Sequence, residues 1–211
     1  MSDRVAIVWG AAGGIGRALV DKLNTDGWRV IAVTHETANI DAATVSMEAN
    51  VGDEFDVQRA VMAAGQESPE IDLFIYAVGD ITSEPAGKMA PKTWRRIIES
   101  NLDGAYYATH HSLPLLTTAA PLVYIGAVSE RMRLPGLSAY AAAKAGLEAF
   151  AETIRKEERK RKVIVVRPGA VQTDFWDKVP FKMPASALTP QAVAEKVLAA
   201  VRDGHQGDLD L

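Results

Sequence analysis

Short β-branched runs alternate with longer stretches of helical period along the chain, and no linker, repeat or low-complexity tract interrupts them. That alternation is the tightest constraint on the fold. Strands joined through helices pair in parallel, and a parallel sheet needs both of its faces covered. The expected strands are Arg4 to Trp9, Arg29 to Thr34, Thr44 to Asn50, Ile71 to Ala77, Pro121 to Gly126, Lys162 to Arg167 and Asp208 to Leu211. The expected helices are Gly14 to Asp26, Glu54 to Ala64, Pro91 to Leu116, Ser138 to Lys160 and Pro190 to Arg202. Only His35 to Ala43 join the second strand to the third, so a crossover helix there is short or missing. Right-handed crossovers then place the first strand centrally, with the switch point, where such sheets bind ligands, beside it. The expectation is an α/β fold: a single domain over residues 1–211 around a doubly wound parallel sheet of about seven strands, with helices on both faces.

Composition narrows the function classes. With 211 residues, 48% hydrophobic, and a net charge of -4, the chain has length for a core and no basic excess to hold a nucleic acid. It contains no Cys, which removes disulfides, thiolate metal sites and a Cys nucleophile and suits a reducing compartment. No apolar run approaches the roughly 18 residues of a membrane span. The stretch from Val5 to Ala12 runs into glycines and reads as a buried strand and turn rather than a signal peptide. A cytoplasmic protein without membrane or nucleic-acid partners is expected.

The first strand ends in Gly10-Ala-Ala-Gly-Gly14-Ile15-Gly16-Arg17, directly before a helical pattern. Glycines let a backbone turn tightly and approach a pyrophosphate, while a helix N-terminus offers free N–H groups and a favourable dipole. The placement between strand and helix is what gives this Gly-rich string meaning. It points to a pyrophosphate site, with a glycine-rich turn that holds no ligand as the alternative.

Tyr140-Ala-Ala-Ala-Lys144 sets a phenol and an ammonium one helical turn apart on one face. A positive charge beside a phenol favours the phenolate, so Lys144 is expected to pull Tyr140 down from about 10 and make it a usable acid or base. A half-buried ring beside a solvated amine gives the same spacing. The remaining motifs decide between the two.

With the spacing Gly-x-x-x-Gly-x-Gly upstream and this Tyr and Lys downstream, the chain resembles the short-chain dehydrogenase/reductase family over nearly its whole length. Tyr76-Ala77-Val78-Gly79 stands where the family has Asn-Asn-Ala-Gly. Asn101-Leu-Asp-Gly104 is similar to its helix-bending Asn segment, and Arg167-Pro168-Gly169-Ala170-Val171-Gln172-Thr173 to its Pro-Gly-x-Val-x-Thr motif. The resemblance implies that Gly10, Gly14, Ile15 and Gly16 hold the pyrophosphate and that Gly79 clears room beside the ribose. It places Pro168, Gly169, Val171 and Thr173 at the nicotinamide, and Asn50 and Val51 at the adenine. Tyr140 would deliver the proton, Lys144 would tune it and hold the ribose, and Asn101 would fix a relaying water. A purely structural, helix-kinking Asn101 remains open, since helix-interior Asn often bonds its own backbone. Trp9 replaces the usual Thr before the first glycine, with no compensating partner evident.

Cofactor choice rests on the end of the second strand, where an acidic residue would bind ribose hydroxyls and repel a 2′-phosphate. That position holds Thr34, followed by His35. No carboxylate stands there, yet no Arg grips a phosphate either; Arg17 is a second possible donor. NADP is preferred over NAD on this reading.

In the family a catalytic serine lies thirteen residues before the Tyr, and here that position is Ala127. Losing such an oxyanion donor costs on the order of 100- to 1,000-fold in rate. Three readings follow: Ser129 substitutes, the substrate does without the donor, or the protein binds nucleotide without fast catalysis. Quinonoid dihydropteridine reductases, a branch that is similar in having Ala here, reduce a preactivated imine-like ring. The expected function is thus NAD(P)-dependent hydride transfer to a small carbonyl or imine. The alternatives are a dihydropteridine-type reductase and a catalytically weak NAD(P)-binding regulatory or scaffold protein. Substrate is expected near Ala127, Ser129, Phe175 and Trp176, the last two in a lid that runs on to Phe181 and Met183. His110 and His111 show no metal spacing, so no metal is expected. The run from Arg155 to Lys162 reads as a solvated helix end. The family resemblance implies that the Ala-rich helix of Tyr140 and the long middle helix form a homodimer or homotetramer interface.

Overall fold

A computed structural model describes residues 4–36, 40–128 and 132–211. Seven parallel strands form one sheet in the order β3-β2-β1-β4-β5-β6-β7. They are β1 (Val5–Trp9), β2 (Arg29–Thr34), β3 (Val45–Glu48), β4 (Leu73–Tyr76), β5 (Leu122–Ile125), β6 (Val163–Arg167) and β7 (Gly207–Asp210). The helices are α1 (Gly14–Thr25), α2 (Glu54–Glu67), α3 (Pro91–Ile98), α4 (Gly104–Ser112), α5 (Ser138–Glu157) and α6 (Pro190–Arg202). No helix is assigned among the described residues between β2 and β3. None of the described helices is long and apolar enough to cross a membrane.

Period-two alternation in β1 divides the core. Val5, Ile7 and Trp9 join the layer that includes residues of α2, α4 and α5, while Ala6 and Val8 join the layer that includes residues of α1 and α6. All five are buried because both faces are covered, so the strand reads as a continuous apolar run. The order reverses at β1, which pairs with β2 on one side and β4 on the other. Sheets of this kind bind their ligands at that reversal, beyond the C-terminal ends of β1 and β4.

The expected long helix from Pro91 to Leu116 is not continuous. A π-helical turn, Glu99–Asp103, separates α3 from α4, and a 3₁₀ turn, Leu113–Leu115, follows. Such a turn interrupts the regular backbone ladder, and side chains take up the carbonyls around it. Tyr76 Oη donates to the Ser100 carbonyl at 2.7 Å, Ser100 Oγ donates to Arg96 O at 2.8 Å, and Asn101 Nδ2 donates to Ile97 O at 2.8 Å. Tyr76 thus has a structural use at the position where an Asn was expected by resemblance. Gly104 lets α4 lie close: a Cβ there would come within 2.6 Å of Tyr76 Oη and 2.8 Å of Val51 Cβ. Trp9 is fully buried, and its Nε1 has no hydrogen-bond partner.

Candidate active site

The loop after β1 packs so closely that only glycine fits. Gly10 has φ +79°, and a Cβ on it would lie 2.8 Å from Ala77 C and Val78 N. A Cβ on Gly16 would run into the Gly10 carbonyl. α1 begins after Gly13, with no side chain capping its N–H groups and no acidic residue in its first turn. Those donors and the dipole suit an anion. Gly14 is exposed, and a Cβ on it would come within 2.6 Å of Thr173 Cγ2, so the segment after β6 closes on the same helix terminus. Ile15 is half-buried against the α1 and α6 layer. The cradle fits a dinucleotide pyrophosphate.

Gly79 brings the catalytic candidates together. A Cβ placed on it would lie 3.4 Å from Asn101 Oδ1, 3.7 Å from Phe175 Cζ and 3.8 Å from Lys144 Nζ. Asn101 is fully buried; its Nδ2 donates to Asp80 O at 2.7 Å as well as to Ile97 O, while its Oδ1 has no partner. A buried amide oxygen left open beside an ammonium is placed to hold a water. Lys144 donates to Ile125 O at 2.8 Å and lies 5.8 Å from the Tyr140 ring centroid. The Phe175 ring meets the Tyr140 ring edge-on at 5.8 Å.

The electrostatics reverse the direction expected from spacing. Burial pushes the Tyr140 phenol upward, the opposite of the expected lowering by Lys144. Burial also lowers Lys144 to about 8, an effect partly offset by the Glu148 carboxylate one turn on. Desolvation penalises whichever form carries charge, and a helical spacing contains no information about burial.

A stability prediction follows. The folded pKa of Lys144 lies below the unfolded value of about 10.4, so between roughly pH 8 and that value the unfolded chain binds more proton and stability rises with pH. The tyrosines Tyr76, Tyr124 and Tyr140 have raised folded pKa values and act oppositely above about pH 10. Urea titrations of wild type and Lys144→Met between pH 7.5 and 9.5 are expected to converge, by on the order of 2 kcal/mol in favour of wild type as pH rises. A constant difference across that range would contradict the assignment.

Other expected residues fall in different surroundings. Thr34 is buried, and its hydroxyl donates inward to Glu36 O at 2.7 Å and Met47 O at 3.3 Å rather than outward to a ribose. His35 is exposed, as are Arg17 and Glu36. Asn50 Oδ1 accepts from Gly52 N at 3.0 Å, and Val51 packs in the core against Gly104. Pro168 is buried, and Gly169 N donates to Leu211 O at 3.0 Å, fixing the loop after β6. Val171 is buried and its carbonyl accepts from Trp176 Nε1 at 2.8 Å. Trp176 therefore braces the 3₁₀ turn Asp174–Lys178, and Phe175 is the one at the site. Ser129 lies outside the described residues. Ala127 is buried in an apolar cluster with Ile81, Ile97, Leu137, Ala139 and Tyr140. Phe181 of the expected lid packs against this cluster, whereas Ile81, Met89 and Val179 were not singled out, because their approach to Tyr140 depends on two long loops.

Residues 4–183 match the family model described as short chain dehydrogenase. The chain is 28% identical over 194 residues to a 3-oxoacyl-[acyl-carrier-protein] reductase of Synechocystis sp., covering 85% of this chain and 78% of that protein. It is 26% identical over 226 residues to the 3-oxoacyl-[acyl-carrier-protein] reductase of Thermotoga maritima, covering 96% and 92%. Among solved structures, an alcohol dehydrogenase from the archaeon Thermococcus sibiricus complexed with 5-hydroxy-NADP superposes with a TM-score of 0.88 at 21% identity, covering 100% of this chain and 96% of that one. The ligand-free aldohexose dehydrogenase of Thermoplasma acidophilum gives 0.86 at 23%, covering 99% and 92%. At those identities the structural matches speak to the fold.

Proposed function

The chain belongs to the short-chain dehydrogenase family, and from that premise we propose that it is an NADP-dependent reductase of a small carbonyl or imine compound. The observation that carries the reading is the convergence of Asn101 Oδ1, Lys144 Nζ and Phe175 on Gly79 beside Tyr140. A nicotinamide dinucleotide held by the glycine cradle would supply the hydride. Tyr140, held neutral by burial, would give its phenolic proton to the substrate oxygen or nitrogen. Lys144, poised near pH 8, returns a proton to the phenolate and is itself replenished through a water on Asn101 Oδ1.

The glycine cradle and the uncapped start of α1 support binding of the pyrophosphate, and the absence of a carboxylate at Thr34 supports a 2′-phosphate. Thr34 is turned inward, so the phosphate partners would be His35 and Arg17, with Glu36 the opposing charge. Fluorescence titration is expected to give NADPH at least about five-fold tighter than NADH, about 1 kcal/mol. Tighter NADH would sink the NADP assignment. The apolar cluster around Tyr140 suits a substrate with an apolar body. Ala127 in that cluster supports a second reading, an imine-like ring such as a quinonoid pterin that needs no extra polarising donor. Cofactor oxidation with ketones, 3-oxoacyl thioesters and a quinonoid pterin separates these readings. Binding without any turnover would leave the regulatory reading. A subunit contact on α4 and α5 is supported by Tyr106, which is 48% exposed and rests against Phe150 and His110.

A further inference from the structure

Asp80 directly follows Gly79 and ties together four segments that meet at the site. Its carbonyl accepts from Asn101 Nδ2 at 2.7 Å, holding the amide so that Oδ1 stays open towards Gly79. Its carboxylate, only 13% exposed, is paired with the Arg96 guanidinium from α3 and receives Lys178 Nζ at 2.9 Å. Arg96 also donates to Thr82 Oγ1 at 2.8 Å, so the α3 side of this bridge is braced independently. Lys178 ends the 3₁₀ turn that carries Phe175 onto Tyr140. That turn is also held by Trp176 on the Val171 carbonyl and by Phe175 packed against Tyr140.

We propose that Asp80 is a positioning residue whose bridge to Lys178 latches the Asp174–Lys178 turn over the nicotinamide site and couples closure of that turn to the orientation of Asn101. The strengths of the contacts suit this division of labour. Asp80 is largely buried and doubly paired, so its place is fixed, whereas Lys178 is 52% exposed and its ion pair is screened and weak. A weak latch on a fixed post opens readily, which lets a dinucleotide and product leave. Removing the latch is therefore expected to raise lid opening by about two- to five-fold rather than to unfold anything.

The ligand's identity rests on the reductase reading; the latch does not. The experiment compares full-length wild type, Lys178→Gln, Asp80→Asn and the double variant. Amide hydrogen exchange of residues 172–179 without added ligand, at 20 mM and 500 mM NaCl, is followed by stopped-flow dissociation of NADPH. Both single variants are expected to speed exchange in the turn and NADPH release about two- to five-fold, and salt is expected to shrink the gap between wild type and Lys178→Gln. The double variant is expected to match Asp80→Asn alone, because the two residues act on each other. A purely structural Asp80 would give additive effects. Unchanged exchange in Lys178→Gln, or additivity in the double variant, would overturn the latch. Faster, non-additive exchange in a protein that binds no NADPH would keep the latch and remove the reductase reading. Lys178 lies on an exposed turn, so its substitution keeps the test valid even if Asp80→Asn folds poorly.

Discussion

Tyr140→Phe is expected to lower turnover by about 100- to 10,000-fold, the usual worth of a positioned acid, while NADPH affinity stays within about two-fold. That loss corresponds to roughly 3 to 5 kcal/mol of barrier. Only the hydroxyl is removed: the ring still meets Phe175 edge-on at 5.8 Å and still lies 5.8 Å from Lys144 Nζ. Thermal stability should therefore hold, and a fall in kcat with KM unchanged would mark an interaction made in the transition state. The phenol is buried and kept neutral, so a variant lacking it leaves, among the described residues at the site, the Lys144 ammonium as the remaining acid, and that group titrates near pH 8. Residual activity should consequently fall as pH rises past about 8. A variant that retained more than about a tenth of wild-type turnover would show that the proton comes from elsewhere.

Much of this architecture was legible in the residues because its causes are local. Apolar runs such as Val5–Trp9 are strands buried on both sides, and the position of Gly10 to Gly16 between strand and helix marks the switch point. The break in the middle helix was visible only in part. Asn101 signals a disturbance, but the π-helical turn is also met by Tyr76, which reaches over from β4 to donate to Ser100 O. What escaped the sequence is whatever burial or distance decides. The i, i+4 spacing of Tyr140 and Lys144 held, yet the direction of the Tyr140 shift followed desolvation, which no spacing encodes. Thr34 stands where a ribose partner was expected, but a buried hydroxyl satisfies itself on the nearest carbonyls, Glu36 and Met47. Asp80 and Lys178 are 98 positions apart, beyond any motif window, so their bridge emerges only when the β6 loop is folded back.

Ala127→Ser is expected to raise kcat/KM for an unactivated ketone about 10- to 100-fold. A donor built into an oxyanion site contributes about 100- to 1,000-fold, and the lower figure reflects surroundings that were not arranged for one. Ala127 packs in the same apolar cluster as Tyr140, and on the proposed reading a hydroxyl placed there would meet the substrate carbonyl. In the absence of substrate that hydroxyl sits among Ile81, Ile97, Leu137 and Ala139, and an unpaired buried hydroxyl costs about 1 to 3 kcal/mol. The variant should thus unfold at a lower temperature while working faster on ketones, a split that general improvement of the fold does not produce. A preactivated imine gains little from added polarisation and should change by less than about three-fold. Equal gains on both substrates would mean that the new hydroxyl aids binding rather than charge development. No gain on either would mean that another group already supplies the donor, and loss of turnover in Ser129→Ala would then identify it.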